Sequence, residues 1–134
     1  MSPIRYFLDT HVLVWWFDAT PRLTPDQRRV LDNWESFKPF GVSDISLMEI
    51  GCLVSSGRLQ LGHDLKTWLG HITAQPLVQL CRITPAVVAE VSKLPKTMPS
   101  DPADQIIVAT ARVEKAVLLT QDRRIIESCA IATL

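Results

Sequence analysis

The sequence predicts an α/β fold in which a central, mostly parallel sheet is flanked by helices. Short apolar runs typical of buried strands alternate along the chain with longer segments of helical character. Strands that alternate with helices favour a parallel sheet covered on both faces. The chain has 134 residues and 47% of them are hydrophobic, which suffices for a hydrophobic core and argues against extensive disorder. Because no repeat, low-complexity tract or linker interrupts the pattern, residues 1–134 are predicted to form one domain.

The first half of the chain is predicted to contain two strands, residues 4–8 and 40–43, and four helices, residues 11–17, 25–34, 46–55 and 65–74. Thr24 before Pro25 supplies a helix cap followed by proline at the first helical position. Ser46 and Glu49 have the spacing of a capping box, which places Ser46 at the start of its helix. Gly57 follows that helix and can adopt the left-handed conformation that ends helices.

The second half is predicted to contain strands at residues 78–83 and 117–120, helices at residues 85–93, 101–114 and 124–129, and a last edge strand at residues 131–134. Thr84 and Pro85 repeat the arrangement of threonine cap and first-turn proline. Residues 94–102 carry three prolines and are predicted to form a loop. Asp101 then caps the helix that Pro102 begins.

Four carboxylates lie at junctions between these elements, where a predicted strand ends or a predicted helix begins. Asp9 closes the first apolar run and Asp122 follows the strand at residues 117–120, while Glu49 and Asp104 lie in the first turns of two helices. In an open parallel sheet the carboxyl ends of the strands share one edge, where ligands bind, so these acids can meet in space. An unpaired carboxylate is unfavourable at a buried strand end, whereas Mg²⁺ and Mn²⁺ take oxygen ligands. The four acids therefore form a candidate metal site.

Each of the acids also has a purely structural explanation. Asp9 and Asp101 can act as helix caps, Glu49 as the partner in a capping box, Asp104 as a complement to the helix dipole, and Asp122 as the start of a turn. It is their joint arrangement that favours metal-dependent hydrolysis of a phosphodiester, because a bound cation with an open position can activate a water molecule.

Three further residues are auxiliary candidates. Asp101 lies one helical turn before Asp104 on the same helix face, so either could be the third metal ligand, and we favour Asp104. The hydroxyl groups of Thr10 and Thr120 could orient the neighbouring acids or a metal-bound water, although ordinary capping or strand filling explains both equally well.

Composition limits the classes of function. With 14 basic and 14 acidic residues the formal net charge is zero, so a polyanion would have to be held by a local patch or a metal. Arg58, Arg112, Lys115, Arg123 and Arg124 are candidates for such a patch, and a solvated charged face is the equal alternative. The three cysteines lack a CxxC pair, which gives no support to a disulfide framework or a structural zinc site. The N-terminal residues do not resemble a signal peptide and no apolar run is long enough to span a membrane, so a cytoplasmic protein is expected.

Four segments resemble the successive acidic motifs of PIN domains, and especially those of VapC-type toxins of bacterial toxin–antitoxin pairs: residues 7–15, 43–50, 101–111 and 118–122. This resemblance implies a Mg²⁺-dependent endoribonuclease, with Mn²⁺ as the other possible ion, whose metal-binding and catalytic acids match Asp9, Glu49, Asp104 and Asp122. It implies an RNA substrate, a small cognate antitoxin and a homodimer. We expect the antitoxin to pack against residues 11–17 and 47–59. The chain departs from the family at Gln105, where an arginine is common.

The main alternative is a receiver-like regulatory or binding domain, in which one aspartate accepts a phosphate. Such a module expects a second acid beside Asp9, where Thr10 stands. An aspartate-nucleophile phosphatase usually has a second aspartate two residues after the first, where His11 stands.

Overall fold

The computed structural model describes residues 3–35 and 38–134 and confirms the predicted α/β class. In chain order the elements are β1 (Tyr6–Leu8), α1 (Thr10–Phe17), α2 (Pro25–Asp32), β2 (Phe40–Ser43), α3 (Asp44–Ser55), α4 (Leu65–Thr73), β3 (Val78–Cys81), α5 (Pro85–Val91), α6 (Pro102–Glu114), β4 (Val117–Leu119) and α7 (Arg123–Ser128). Along the described residues, no helix is both long and apolar enough to cross a membrane.

The four strands form one parallel sheet in the order β3-β2-β1-β4. From β1 the chain fills the sheet outward through β2 and β3, and it then returns to the other side of β1 to form β4. Phe7 in the middle of β1 is opposite Gly41 of β2 and Leu118 of β4. The strand order therefore changes direction between β1 and β4, which is the place where α/β sheets usually bind ligands.

Hydrophobic clusters cover both faces of the sheet because neighbouring residues of a strand point to opposite sides. Leu8 and Leu119 belong to the cluster packed under α1, α2 and α4, whereas Phe7 and Leu118 belong to the cluster under α6 and α7. A Cβ atom at Gly41 would lie 2.5 Å from Cδ2 of Phe7, so only glycine lets this ring pack across the strand. The central strands are thus held from both sides and fix the positions of the residues that follow them.

The start of α3 differs from the prediction, and the capping box of Ser46 and Glu49 was wrong. The helix begins at Asp44, directly after β2, and its cap is Ser43, whose hydroxyl oxygen accepts a hydrogen bond from Ile45 N at 3.2 Å. Since the chain enters the helix without a connecting loop, Ser46 lies inside the first turn and is fully buried. Glu49 consequently lies in the second turn.

The other helix starts agree with the predicted caps. Thr24 and Gln27 form a capping box on α2, and Thr84 and Asp101 cap α5 and α6. The ends of several elements are shorter than predicted, as for β3, which stops at Cys81. The predicted last strand at residues 131–134 is reduced to a single parallel bridge between Thr133 and Leu118.

Candidate active site

The predicted site acids line one cleft of about 590 Å³ at the carboxyl edge of the sheet. Asp9 follows β1 and Asp122 follows β4, so the two flank the point where the strand order reverses. Glu49 reaches the cleft from α3, and Asp101 and Asp104 reach it from the start of α6. Acids from four parts of the chain therefore meet, as the argument from strand ends predicted.

Asp9 is the most constrained of these acids. It caps α1 and is 7% exposed. One carboxylate oxygen accepts a hydrogen bond from Thr10 N at 2.8 Å and the other accepts one from Thr120 Oγ1 at 2.7 Å. Burial raises the pKa of Asp9 above its ordinary value, and the nearby Asp122 adds to this, although the two hydrogen bonds and His11 act in the opposite direction. The carboxylate is thus held in one orientation in a poorly solvated place.

Thr10 joins α1 to α3 through its side chain. Its hydroxyl group donates to Glu49 Oε1 at 2.5 Å and lies 2.9 Å from Ser46 Oγ. Because the Thr10 proton is used on the carboxylate, the Ser46 hydroxyl is the donor in the second contact. Burial raises the pKa of Glu49, and the charges of Asp9 and Asp101 raise it further, against the effect of the Thr10 bond. Ser46, predicted to be a cap, is instead a buried support for the residue that orients Glu49.

Thr120 has the corresponding role on the other side of the cleft. Its hydroxyl donates to Asp9 and accepts a hydrogen bond from the backbone N–H of Asp122 at 3.0 Å. Asp122 also caps α7 by accepting from Arg124 N at 2.9 Å. One threonine hydroxyl therefore fixes the relative position of two acids that are far apart in sequence. Both threonine hydroxyls thus contact acids, but the Thr10 hydroxyl contacts Glu49 and not the neighbouring Asp9, to which Thr10 donates only its backbone N–H.

Asp101 and Asp104 differ sharply in their surroundings. Asp101 is exposed, and one of its oxygens accepts from Ala103 N at 2.8 Å as a helix cap. Asp104 is 8% exposed and its carboxylate faces the other acids. Arg124 Nη2 lies 3.7 Å from Asp104 Oδ2 and 3.6 Å from Asp122 Oδ2. These distances allow ion pairs but are too long for hydrogen bonds. Of the two candidates for the third ligand, Asp104 is the buried and less engaged one.

Burial raises the pKa of Asp104 to about 7, and the charges of Asp101, Asp9, Asp122 and Glu49 all act in the same direction. Like charges collected in a poorly solvated cleft make the ionised state costly unless a cation joins them. Folding without a cation is therefore less favourable when Asp104 is ionised.

The metal-free protein is expected to become less stable as the pH rises from about 4 to about 7. The folded pKa of Asp104 is about 7 and its ordinary value is 3.8, so in this window the folded state holds a proton that the unfolded state has released. Relative to acidic pH, the free energy of unfolding at pH 8 is lowered by at most about 4 kcal/mol. In EDTA, Asp104→Asn should flatten this pH dependence and raise the melting temperature at pH 8. The raised pKa values of Asp9 and Glu49 should leave a residual slope.

Asp26→Asn is the matched control, because Asp26 also lies in a first helical turn but is exposed and outside the cleft. It should cost little stability at any pH. A lower melting temperature for Asp104→Asn than for wild type at pH 8 would mean that Asp104 mainly supports its helix.

The cleft offers oxygen ligands suited to a hard divalent cation, and burial raises the pKa values of three of its acids, so a bound cation would stabilise their ionised forms. Asp9, Glu49, Asp104 and Asp122 all line this cleft and are the candidate ligands. Within residues 3–35 and 38–134, however, no three acids, histidines or cysteines are already arranged as a metal-holding group. The side chains would therefore have to rearrange when a cation binds.

Positive charge lies at the rim of the cleft, and only part of it was predicted. Arg58 and Arg124 line the cleft, and so does Arg22, which the sequence did not single out and whose guanidinium lies 5.9 Å from the ring centre of Trp15. Arg112 is instead paired with Glu90 at 2.8 Å, and Arg123 with Glu127 at 3.4 Å. Neither these two nor Lys115 lines the cleft.

Comparison with known proteins agrees with this fold. A family model described as the PIN domain matches residues 6–130. Ribonuclease VapC22 of Mycobacterium tuberculosis is 34% identical over 118 residues, which cover 88% of this chain and 87% of that protein.

Solved structures with the same fold include VapBC2 from Rickettsia felis, bound to a DNA fragment from its promoter, with a TM-score of 0.69, 17% identity and coverage of 98% of this chain and 97% of that one. FitAcB from Neisseria gonorrhoeae has a TM-score of 0.69, 21% identity and coverage of 96% of both chains.

Proposed function

The chain belongs to the PIN-domain family, and from this premise we propose that it is the endoribonuclease toxin of a type II toxin–antitoxin pair. The observation that carries the proposal is the convergence of acids, two of them buried, in one cleft at the junction of β1 and β4. A relative that is 34% identical over most of both chains is named a ribonuclease, which supports the same class of reaction.

We assign the catalytic and metal-binding roles to Asp9, Glu49, Asp104 and Asp122. A bound Mg²⁺, or Mn²⁺, would neutralise the cluster, polarise the scissile phosphate and activate a water for hydrolysis. Thr120 holds Asp9 and the backbone of Asp122, while Thr10 holds Glu49, so these hydroxyls keep the carboxylates aimed into the cleft. Asp101 is assigned the role of a helix cap, and its carboxylate also adds negative charge to the cleft.

We infer that the arginines at the rim hold the phosphates on either side of the scissile bond. Arg22, Arg58 and Arg124 come from three separate parts of the chain and are all exposed. Since the whole protein carries no net charge, this local patch and the cation have to supply the attraction for a polyanion. The receiver-like alternative explains neither this rim nor the four converging acids.

The proposed partner is a small antitoxin. The chain resembles VapC-type toxins of toxin–antitoxin pairs, and the solved structures with the same fold include VapBC2 and FitAcB. We keep the proposal that it packs against residues 11–17 and 47–59. Residues of α1 and α3, including Trp15 and Leu53, line the cleft beside the acids. A partner bound there would cover the path to the acids. A homodimer, a single domain over residues 1–134 and a cytoplasmic location are parts of the same proposal.

Induced synthesis of the chain in a bacterial host is expected to arrest growth and to produce new RNA 5′ ends within minutes. Co-synthesis of the small protein encoded beside its gene should relieve both effects, and the two proteins should co-purify. Growth arrest with intact RNA would contradict the ribonuclease assignment. Cleavage that the neighbouring protein does not relieve would contradict the assignment of that protein as antitoxin.

A further inference from the structure

Gln27, in the first turn of α2, has a buried side-chain amide whose four hydrogen-bonding positions are all used. The residue is 1% exposed. Its Nε2 donates to the backbone carbonyl groups of Thr120 at 3.1 Å and Leu134 at 2.8 Å. Its Oε1 accepts from Gln121 Nε2 at 2.9 Å and from Thr24 N at 3.3 Å. The two carbonyl partners require the amino group on one side, so the orientation of the amide is unambiguous.

A capping role explains only one of these four contacts. In a capping box the side chain needs a single acceptor for the N–H of the cap, and glutamate serves this purpose as well as glutamine. Here the capping contact is the longest of the four. The two donor contacts hold carbonyl groups more than 90 residues away along the chain. The two N–H donors of the amide, which glutamate lacks, therefore explain why a glutamine is buried at this position.

The segment that Gln27 holds is the one that positions two of the proposed catalytic acids. Thr120 donates its hydroxyl to Asp9 and accepts the N–H of Asp122. Gln121, the residue between them, is held to Gln27 and also donates to the Arg22 carbonyl at 2.7 Å. The backbone N–H of Thr120 donates to the Leu134 carbonyl at 3.3 Å, so Gln27 binds both partners of that contact.

We propose that Gln27 is a positioning residue of the active site, which clamps residues 120–122 so that the Thr120 hydroxyl stays aimed at Asp9. The inference rests on the proposed function for its consequence in RNA cleavage, but the clamp itself depends only on the contacts described above. Gln27 does not line the cleft. Its effect on the reaction passes through Thr120.

The test compares Gln27→Met with Thr24→Ala. Methionine keeps the volume of the side chain but removes all four hydrogen bonds, whereas Thr24→Ala removes the side-chain cap of the same helix and leaves the donors of Gln27 in place. The first measurement is amide hydrogen exchange in the absence of metal and RNA, read relative to amides of β2 and β3. The Asp122 amide should exchange about 10-fold faster in Gln27→Met and within about twofold of wild type in Thr24→Ala.

The second measurement is RNA cleavage. Gln27→Met should lower kcat by about 10- to 100-fold and leave KM within about twofold, as expected when the support of an active-site group is lost. In a Thr120→Val background the same change should lower kcat less than about threefold, because both changes act on one contact.

Equal exchange of the Asp122 amide in Gln27→Met and Thr24→Ala, or additive effects of Gln27→Met and Thr120→Val on kcat, would overturn the proposal. The outcomes also separate it from the proposed function. A chain that cleaves no RNA, but whose Asp122 amide is released by Gln27→Met, would retain the clamp and lose the ribonuclease assignment.

Discussion

Asp9→Asn is expected to lower the kcat of RNA cleavage by on the order of 1,000-fold or more while the fold is retained. Asparagine has nearly the same shape, and its oxygen can still accept the hydrogen bond from Thr10 N that Asp9 accepts at 2.8 Å. The negative charge that would hold a cation between β1 and β4 is lost, and the contact with the Thr120 hydroxyl has to reverse its direction because the asparagine nitrogen is a donor. Because burial already raises the pKa of Asp9, removal of the charge should not lower the melting temperature in EDTA.

The measurement is the initial rate of cleavage of a defined RNA, with circular dichroism to show that the fold is intact. Asp18→Asn is the matched control, since Asp18 ends the same helix but is exposed and does not line the cleft. It should cleave RNA at the wild-type rate. Activity of Asp9→Asn within about tenfold of wild type would remove Asp9 from the catalytic set.

Removal of divalent ions is expected to abolish cleavage, and Mg²⁺ or Mn²⁺ should restore it. Burial raises the pKa of Asp104 to about 7 and the neighbouring acids raise it further, so the ionised arrangement of the acids needs a cation among them. Mn²⁺ at 100 times its dissociation constant should also stabilise the folded chain by about 2.7 kcal/mol. This stabilisation should increase with pH and should disappear in Asp9→Asn and Asp104→Asn.

Potassium chloride at matched ionic strength is the control for simple screening of charge. It should neither restore cleavage nor reproduce the stabilisation. Cleavage that continues undiminished in EDTA would contradict the metal-dependent mechanism, even if Asp9 proves essential.

The parts of the fold that the sequence predicted well are those with a local cause. A threonine or aspartate followed by proline determines the start of a helix within one or two residues, which is why α2, α5 and α6 begin where expected. Short apolar runs between polar segments indicated all four strands of the sheet. The convergence of the acids followed from a general property of parallel sheets and needed no knowledge of their contacts.

The parts that could not be predicted depend on contacts between distant residues. Asp101 and Asp104 lie one turn apart at the start of the same helix, and it is the packing of α6 against the sheet that buries Asp104 and leaves Asp101 exposed. Ser46 had the local spacing of a cap, but direct entry of the chain from β2 into α3 made it a buried partner of Thr10. Gln27 was read only as part of a helix, because its partners lie about 100 residues further along the chain.

The hydrogen bond between Thr120 and Asp9 joins residues that are 111 positions apart. During synthesis on the ribosome, Asp9 and Glu49 emerge long before Asp104 and Asp122, and β4 cannot pair with β1 until most of the chain has left the exit tunnel. A nascent chain therefore carries half of the acids without the strand that brings in the others. The proposed active site therefore cannot assemble until β4 has been synthesised and has paired with β1.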